Sequence, residues 1–399
     1  MHHTLVTFLG RVPADRDRGT YRTVSYRCPD GELRTESFSG LALEESTAPD
    51  RVVVLGTSGS MWHVLLELTE RYEQIPELWE RLEQAHAADE VDEGDLARLG
   101  EELSAARGVP WQARRIPYGR DAAGQAGILR ILAGEVPHGG RVTMDVTHGL
   151  RHLPMVALVS ALQLRTLRDA TVDGLYYGAL DMAADGEAPV VNLDGLLAAT
   201  DWLEALHTYD KDGDYAAFAE LYRREGVGDQ EAGRLEEAAF HERTTNPVLA
   251  RQDLLTFQKA APSLDTPIGG LFAEDLWQRV QWHRRPRRSE WEQNLAHQYL
   301  GRRDYLRAAL FAHEAYISRR VEQRGGDITD HNVRDEAKQG INSRNFKRLK
   351  DLRNAMAHGD RPKTEEGREA LASEDALHDH LNHLIDSLLS DDNPGWRGH

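Results

Sequence analysis

Arg51-Val52-Val53-Val54-Leu55-Gly56-Thr57-Ser58-Gly59-Ser60-Met61 decides the fold of the first half of this chain. Four consecutive apolar residues, three of them β-branched, read as a strand. The small residues at 56–60 then turn the chain into a helical pattern over 61–72. Strand, small-residue loop and helix in that order make a phosphate-cradle geometry, because the first helical N–H groups have no partner within the helix. Small residues between strand and helix are also common in any parallel α/β domain, so the segment says more about fold than about ligand.

The same grammar repeats on both sides. Residues 5–9 are a β-rich run closing on Gly10-Arg11, which reads as a buried first strand and a turn. Residues 21–26 alternate, Asp30-Gly31 is a turn signal and 32–38 follow, so a β-hairpin is expected. Two charged helices fill 76–108. A strand at 113–118, a helix at 122–133, a strand at 142–146, a helix at 150–167 and strands at 175–180 and 190–193 complete the series. Alternation over 1–195 predicts a Rossmann-like domain with a parallel-rich sheet.

Near residue 200 the pattern changes. Beyond Trp202 there is almost no β-rich alternation, and helices are expected at 202–209, 214–224, 231–260, 272–284, 289–300, 304–324, 343–358 and 366–390. Asp214 and Asp304 suit helix N-caps. Asn246-Pro247 and residues 262–270 read as loops, and 391–399 as a frayed terminus. The fold class is α/β followed by all-α, with domains at 1–200 and 201–399.

Composition narrows the function. A length of 399 residues suits two domains, and 40% hydrophobic with 29% charged residues is the balance of a globular protein. No apolar run approaches the ~18 residues of a membrane span. No basic region followed by an apolar core marks a signal peptide. The one cysteine, Cys28, excludes an internal disulfide framework and a Cys-based zinc site, which fits a cytoplasmic location. A net charge of −18 argues against a broad duplex-DNA surface. Every lysine lies beyond residue 210, which hints at halves with different tasks.

Two constellations carry chemistry. The first is Asp145-Val146-Thr147-His148-Gly149-Leu150-Arg151-His152-Leu153-Pro154, a strand end, a glycine turn and a helix start. Free first-turn N–H groups, the helix dipole and Arg151 all favour an anion there. Ligands of open parallel sheets bind beyond the carboxyl ends of the strands, where Gly10-Arg11 and the 56–61 loop would join this segment. His148 and His152 stand at i and i+4 and could in principle hold a metal, but no third ligand is evident. The fingerprint G-x-G-x-x-G is absent from these turns, which lowers the dehydrogenase reading.

The second constellation is Asp351-Leu352-Arg353-Asn354-Ala355-Met356-Ala357-His358-Gly359, the end of an amphipathic helix with Phe346, Leu349, Leu352 and Met356 on its apolar face. Metal-free RNA cleavage needs a base for the 2′-OH proton, a cation for the crowded phosphorane and an acid for the departing 5′-oxygen. Histidine can be base or acid near neutrality, and arginine supplies the cation. Asn354 could orient either group. Five residues span about 140° of helical rotation and roughly 7.5 Å of rise, so Arg353 and His358 flank one phosphate only if a second helix closes the site. Arg344, Lys347, Arg348 and Lys350 make the surroundings basic. A second basic run, 284–288 beside Trp282 and Trp291, suits single-stranded nucleic acid.

Together the two constellations resemble a known family. Arg353-Asn354-Ala355-Met356-Ala357-His358 is similar to the R-x4-H motif of HEPN ribonucleases. Residues 145–154 resemble the Asp-x-Thr-His-Gly-aromatic-Arg segment of one subfamily of CARF domains, the CRISPR-associated Rossmann fold, with Leu150 in place of the aromatic residue. The resemblance implies a type III CRISPR accessory endoribonuclease. Its CARF domain would bind a cyclic oligoadenylate activator through Thr147, His148, Gly149 and Arg151, with Gly10, Arg11, Ser58, Gly59 and Ser60 beside them. Its HEPN domain would cleave single-stranded RNA with little specificity, leaving a 2′,3′-cyclic phosphate and needing no metal or other cofactor. His358 would be the acid/base, Arg353 the phosphate binder and Asn354 their neighbour. Both domains dimerise in that family, so a homodimer or a higher oligomer is implied, without a membrane partner. The alternatives are a nucleotide-sensing regulator with a degenerate HEPN domain, a CARF domain that also degrades its activator, and an unrelated nucleotide-dependent α/β enzyme.

Overall fold

Leu5, Val6, Phe8, Val52, Val53, Val54 and Leu55 are all fully buried, although neighbours along a strand point to opposite faces. Strands covered by helices on both sides explain the unbroken apolar runs. The computed structural model describes residues 1–11, 22–69, 72–260 and 266–390, and they form two units, 1–197 and 198–399. Tyr21 of the expected hairpin, part of the 262–270 loop and the 391–399 tail lie outside the described residues.

The first unit runs β1 (His3–Leu9), β2 (Val24–Arg27), β3 (Leu33–Glu36), α1 (Ser39–Thr47), β4 (Arg51–Gly56), α2 (Trp62–Glu67), α3 (Pro76–Ala88), α4 (Glu93–Arg107), β5 (Trp111–Arg115), α5 (Ala122–Glu135), β6 (Arg141–Asp145), α6 (Leu153–Arg168), β7 (Thr171–Gly178) and β8 (Glu187–Asn192). The sheet order is β3-β2-β8-β7-β6-β1-β4-β5. From β7 through β5 neighbouring strands are parallel. β8 is antiparallel to β7, and β2–β3 is an antiparallel hairpin set alongside β8. Leu5, Leu9, Val52 and Val54 pack with residues of α2, α3 and α4 on one face. Val6, Phe8, Val53, Leu55, Val142 and Met144 pack with α5 and α6 on the other.

This order contains a switch point. From β1 the parallel core grows through β4 to β5, and then reverses through β6 to β7. The reversal falls between β1 and β6, and open α/β sheets place ligands at such a crevice.

Several boundaries differ from expectation. β5 spans Trp111–Arg115 rather than 113–118, and the 61–72 helix is cut to Trp62–Glu67. α1 was not anticipated. α6 begins at Leu153, not 150: residues 151–152 form a turn after Gly149, and Pro154 takes an N-terminal position where its missing N–H costs nothing.

The second unit is helical: α7 (Asp194–Asp212, which begins in the first), α8 (Ala217–Arg224), α9 (Asp229–Arg243), α10 (Pro247–Ala260), α11 (Gly269–Arg279), α12 (Arg288–Gly301), α13 (Tyr305–Gln323), α14 (His331–Gln339), α15 (Arg344–His358), α16 (Glu365–Ala370) and α17 (Glu374–Leu389). The expected 231–260 helix is two, divided ahead of Pro247, and the 366–390 helix is also two. α14 was not anticipated. Asp304 caps α13 by accepting the Arg307 N–H at 3.0 Å, and Asp214 accepts the Ala216 N–H at 3.0 Å ahead of α8. Trp202, Tyr209, Tyr215, Phe218, Tyr222, Tyr299 and Phe311 fill the core. Among the described residues no helix is long and apolar enough to cross a membrane.

Candidate functional site

The ends of β1 and β6 touch backbone to backbone. A Cβ on Gly10 would stand 2.6 Å from the amide nitrogen of Gly149 and 2.7 Å from its Cα, so no side chain fits there. Gly149 itself carries a positive φ that L side chains rarely adopt, and its Cβ would meet Leu153 at 2.9 Å. Gly149→Ala should therefore destabilise the first unit by about 1–3 kcal/mol, read as a lower urea midpoint at unchanged m.

Beneath this contact lies Asp145, the last residue of β6, with no exposure to solvent. Its carboxylate accepts four hydrogen bonds: the hydroxyls of Thr7 at 2.7 Å and Ser39 at 2.6 Å, and both the N–H (3.0 Å) and hydroxyl (2.5 Å) of Thr147. A buried carboxylate of this kind survives because donors surround it. The Thr147 hydroxyl also accepts the Gly178 N–H at 2.7 Å. Thr147 thereby ties β6 to β7, and its oxygen is committed on both sides.

His148 stacks on Phe38 with ring centroids 5.2 Å apart, and its Nε2 accepts the Ser39 N–H at 3.3 Å. Burial pushes its pKa down, opposed by the charge of Asp145. An imidazole that accepts at Nε2 and resists protonation is neutral and carries its proton on Nδ1. Gly149, Leu150 and Arg151 are exposed, and Arg151 forms no hydrogen bond or ion pair among the described residues. Its guanidinium is thus available beside the strand ends. His152 leads into α6, and its Nε2 is buried without a hydrogen-bond partner. His148 and His152 do not share a helix face, since α6 starts after both. Among the described residues no group of three or more His, Cys, Asp or Glu is placed to hold a metal ion.

The third wall is the loop after β4. The buried Ser60 hydroxyl donates to the Leu9 carbonyl at 2.8 Å and accepts the Thr57 N–H at 2.8 Å, so it shapes the loop instead of facing a ligand. The Gly59 carbonyl accepts from Arg11 Nε at 2.6 Å and meets His86 Nδ1 at 2.8 Å. Asp89, at the end of α3, accepts from the Ser58 hydroxyl at 2.9 Å and from the Tyr118 hydroxyl, with Arg11 3.7 Å away. The Tyr118 and Ser58 bonds hold the Asp89 carboxyl below its ordinary range. Nearby His63 is pushed down to about 4 by burial, with the proximity of His86 adding to it.

The structure thus brings together the ends of three adjacent parallel strands: Gly10-Arg11, 57–60 and 145–151. It adds Phe38, Ser39, Asp89 and Tyr118, which sequence reading did not select. Tyr118 lies just past β5, where the strand-end rule alone points. The other three have no local signal, because they reach the site from α1 and α3.

In the second unit α15 is capped by Ser343, whose hydroxyl accepts the Phe346 N–H at 3.3 Å, and ends on Gly359 at φ +69°. Phe346, Leu349 and Leu352 are buried, with Met356 packed against the same core. Arg353 is half-buried and donates to Asn354 Oδ1 from Nη2 (2.7 Å) and Nε (3.2 Å). Asn354 therefore holds the guanidinium in one orientation. His358, the last helical residue, is exposed, and its imidazole makes no hydrogen bond or ion pair among the described residues. Asp351 pins the following chain by accepting the N–H groups of Lys363 (3.0 Å) and Thr364 (3.2 Å). Arg344 and Arg348 pair with Glu366, so those two charges are partly neutralised.

The basic run at 284–288 is not the stacking platform its composition suggests. Trp282 is fully buried in the core, and the Trp291 indole donates to the Arg285 carbonyl at 2.6 Å under Arg251. Arg287 and Arg288 pair with Glu290 and Glu292.

Residues 4–181 match the family model described as CRISPR system endoribonuclease Csx1, CARF domain. The chain is also similar to CRISPR-associated protein MJ1674 of Methanocaldococcus jannaschii, with 26% identity over 238 residues, covering 54% of this chain and 37% of that protein. It therefore spans well under two thirds of the relative's length. The family match coincides with the sheet whose switch point gathers Gly10, Gly149 and Asp145, and residues 4–181 accordingly form a CARF-type Rossmann domain.

Proposed function

We propose that this chain is a cyclic-oligoadenylate-activated, metal-independent endoribonuclease of type III CRISPR defence, with the helical unit acting as a HEPN nuclease. The observation that carries the reading is the end of α15. It presents an uncommitted imidazole, His358, and a guanidinium, Arg353, oriented by Asn354, on a chain that also carries a CARF domain. The family description names an endoribonuclease, which supports extending the activity to this chain.

In this mechanism a base removes the 2′-OH proton, the oxygen attacks phosphorus and the P–O5′ bond breaks. An acid protonates the departing 5′-oxygen, leaving a 2′,3′-cyclic phosphate and a 5′-hydroxyl. His358 supplies proton transfer, and Arg353 binds the non-bridging oxygens as charge accumulates. The five-residue spacing calls for a second copy of α15, so the active species is a homodimer in which two Arg353/His358 pairs face one another. The activator's phosphates suit Arg151 and the backbone around Gly149, while Thr147, committed to Asp145 and Gly178, is poorly placed to attack the activator.

The test is a cleavage assay on labelled single-stranded RNA in EDTA across a panel of cyclic oligoadenylates. Cleavage that depends on one ring size supports the reading; none across the panel sinks it and leaves a sensing regulator. Arg151→Ala should raise the half-activating concentration by about tenfold to a hundredfold, the value of a charge-assisted hydrogen bond, without changing the maximal rate. An activator titration reads both quantities.

A further inference from the structure

The chain has only six lysines, and three of them, Lys338, Lys347 and Lys350, line one cavity of about 390 Å3 between α14 and α15. Gln339, Ile341, Phe346 and a single carboxylate, Asp335, complete the lining. Over residues 331–358 seven Lys and Arg stand against three Asp and Glu, in a chain whose net charge is −18. All three lysines are exposed. Lys347 donates to Asn342 Oδ1 at 2.8 Å, while the ammonium groups of Lys338 and Lys350 form no hydrogen bond or ion pair among the described residues. The wall behind them is firm, because Phe346 is buried and stacked between His313 (4.8 Å) and Tyr316 (5.1 Å).

We propose that this groove is the track that holds the single-stranded RNA backbone and feeds it to Arg353 and His358. The proposal rests on the ribonuclease reading and deepens it by assigning substrate-binding residues. Lys347, Lys350 and Arg353 are spaced by three, so they form a winding ridge along α15, each step rising about 4.5 Å. A strand laid on that ridge meets cation after cation and arrives at the helix end, roughly 12 Å beyond Lys350, where His358 stands. Lysine ammonium groups are point charges that bind phosphate without demanding base or planar geometry, which suits cleavage with little sequence discrimination. The acidic remainder of the chain repels a broad polyanion, so a narrow strip selects a single strand over a duplex.

The test uses the full chain carrying His358→Ala, so that bound RNA is not cut, with the activating cyclic oligoadenylate present. Binding of a labelled unstructured RNA is followed by anisotropy across a salt series. On that background Lys338→Gln with Lys350→Gln is compared with Lys211→Gln and Lys259→Gln, which remove the same charge from exposed positions elsewhere. The groove pair should weaken binding at least about tenfold and flatten the plot of log affinity against log salt by about 1.4, two phosphate contacts on a single strand. The distant pair should leave the slope unchanged. Equal effects of the two pairs overturn the groove and leave the ribonuclease reading standing. Absence of RNA binding by the parent overturns both.

Discussion

If α15 carries the proposed ribonuclease chemistry, His358→Ala is expected to lower activated RNA cleavage by about two to four orders of magnitude, the usual value of a positioned general acid or base. Arg353→Ala is expected to produce a comparable loss, because Arg344 and Arg348 already face Glu366 and Lys350, one turn back, offers an ammonium without the fork that Asn354 orients. Arg353→Lys does not restore the rate, since an ammonium lacks the planar fork that Asn354 holds in place. None of this reflects unfolding. His358 is exposed at the last helical position, and its removal changes stability by no more than about 0.5 kcal/mol. Binding of the proposed activator is expected to be likewise untouched. Cleavage assays beside thermal melts and activator binding separate these quantities, and an active His358→Ala protein would remove the chemistry from α15.

Asp145→Ala has the largest effect on stability. The substitution leaves the hydroxyls of Thr7, Ser39 and Thr147 and the Thr147 N–H without their shared acceptor at a point closed to water. Each stranded buried donor costs about 1–3 kcal/mol, moderated where a hydroxyl rotates to another acceptor. A total of about 3–5 kcal/mol is expected, a large part of a typical domain's stability. Asp145→Asn keeps one carbonyl acceptor and costs less. Because Ser39 also donates its N–H to His148, loss of the hub should loosen that ring at the strand end. Affinity for the proposed activator is then expected to fall in parallel with the denaturation midpoint. An unshifted midpoint for Asp145→Ala would show that the four bonds do not organise the strand end.

What the sequence disclosed follows the range of each interaction. The central strands were legible because burial on both faces requires an unbroken apolar run, as at 52–55. The helical half was legible from its period, and Asp304 from the chemistry of a cap. α1 and α14 were missed for a shared reason. Each is short, and α14 keeps only Ala337 buried, so neither carries a lasting apolar stripe. The 150–167 helix was read too early because its apolar pattern continues back into the turn that follows Gly149. At the site, the three glycine-bearing strand ends announced themselves, but their partners did not. Asp89 and Ser39 reach the strand ends from α3 and α1, and only the folded sheet brings them near. Trp282 shows the opposite error: arginines beside tryptophan look like a nucleic-acid surface until packing turns the ring inward.

The meeting of Gly10 and Gly149 works as a joint without clearance. With backbone against backbone, neither strand end has a compressible side chain to absorb displacement. A ligand that lifts the 149–151 turn must therefore carry the tip of β1 with it, or leave a gap that nothing fills. The same tightness restricts how such a chain can be lengthened. Residues added within the exposed hairpin turn at 29–32 only extend a solvent loop, whereas one residue inserted between Asp145 and Leu153 has no slack to occupy and would pry the two strands apart.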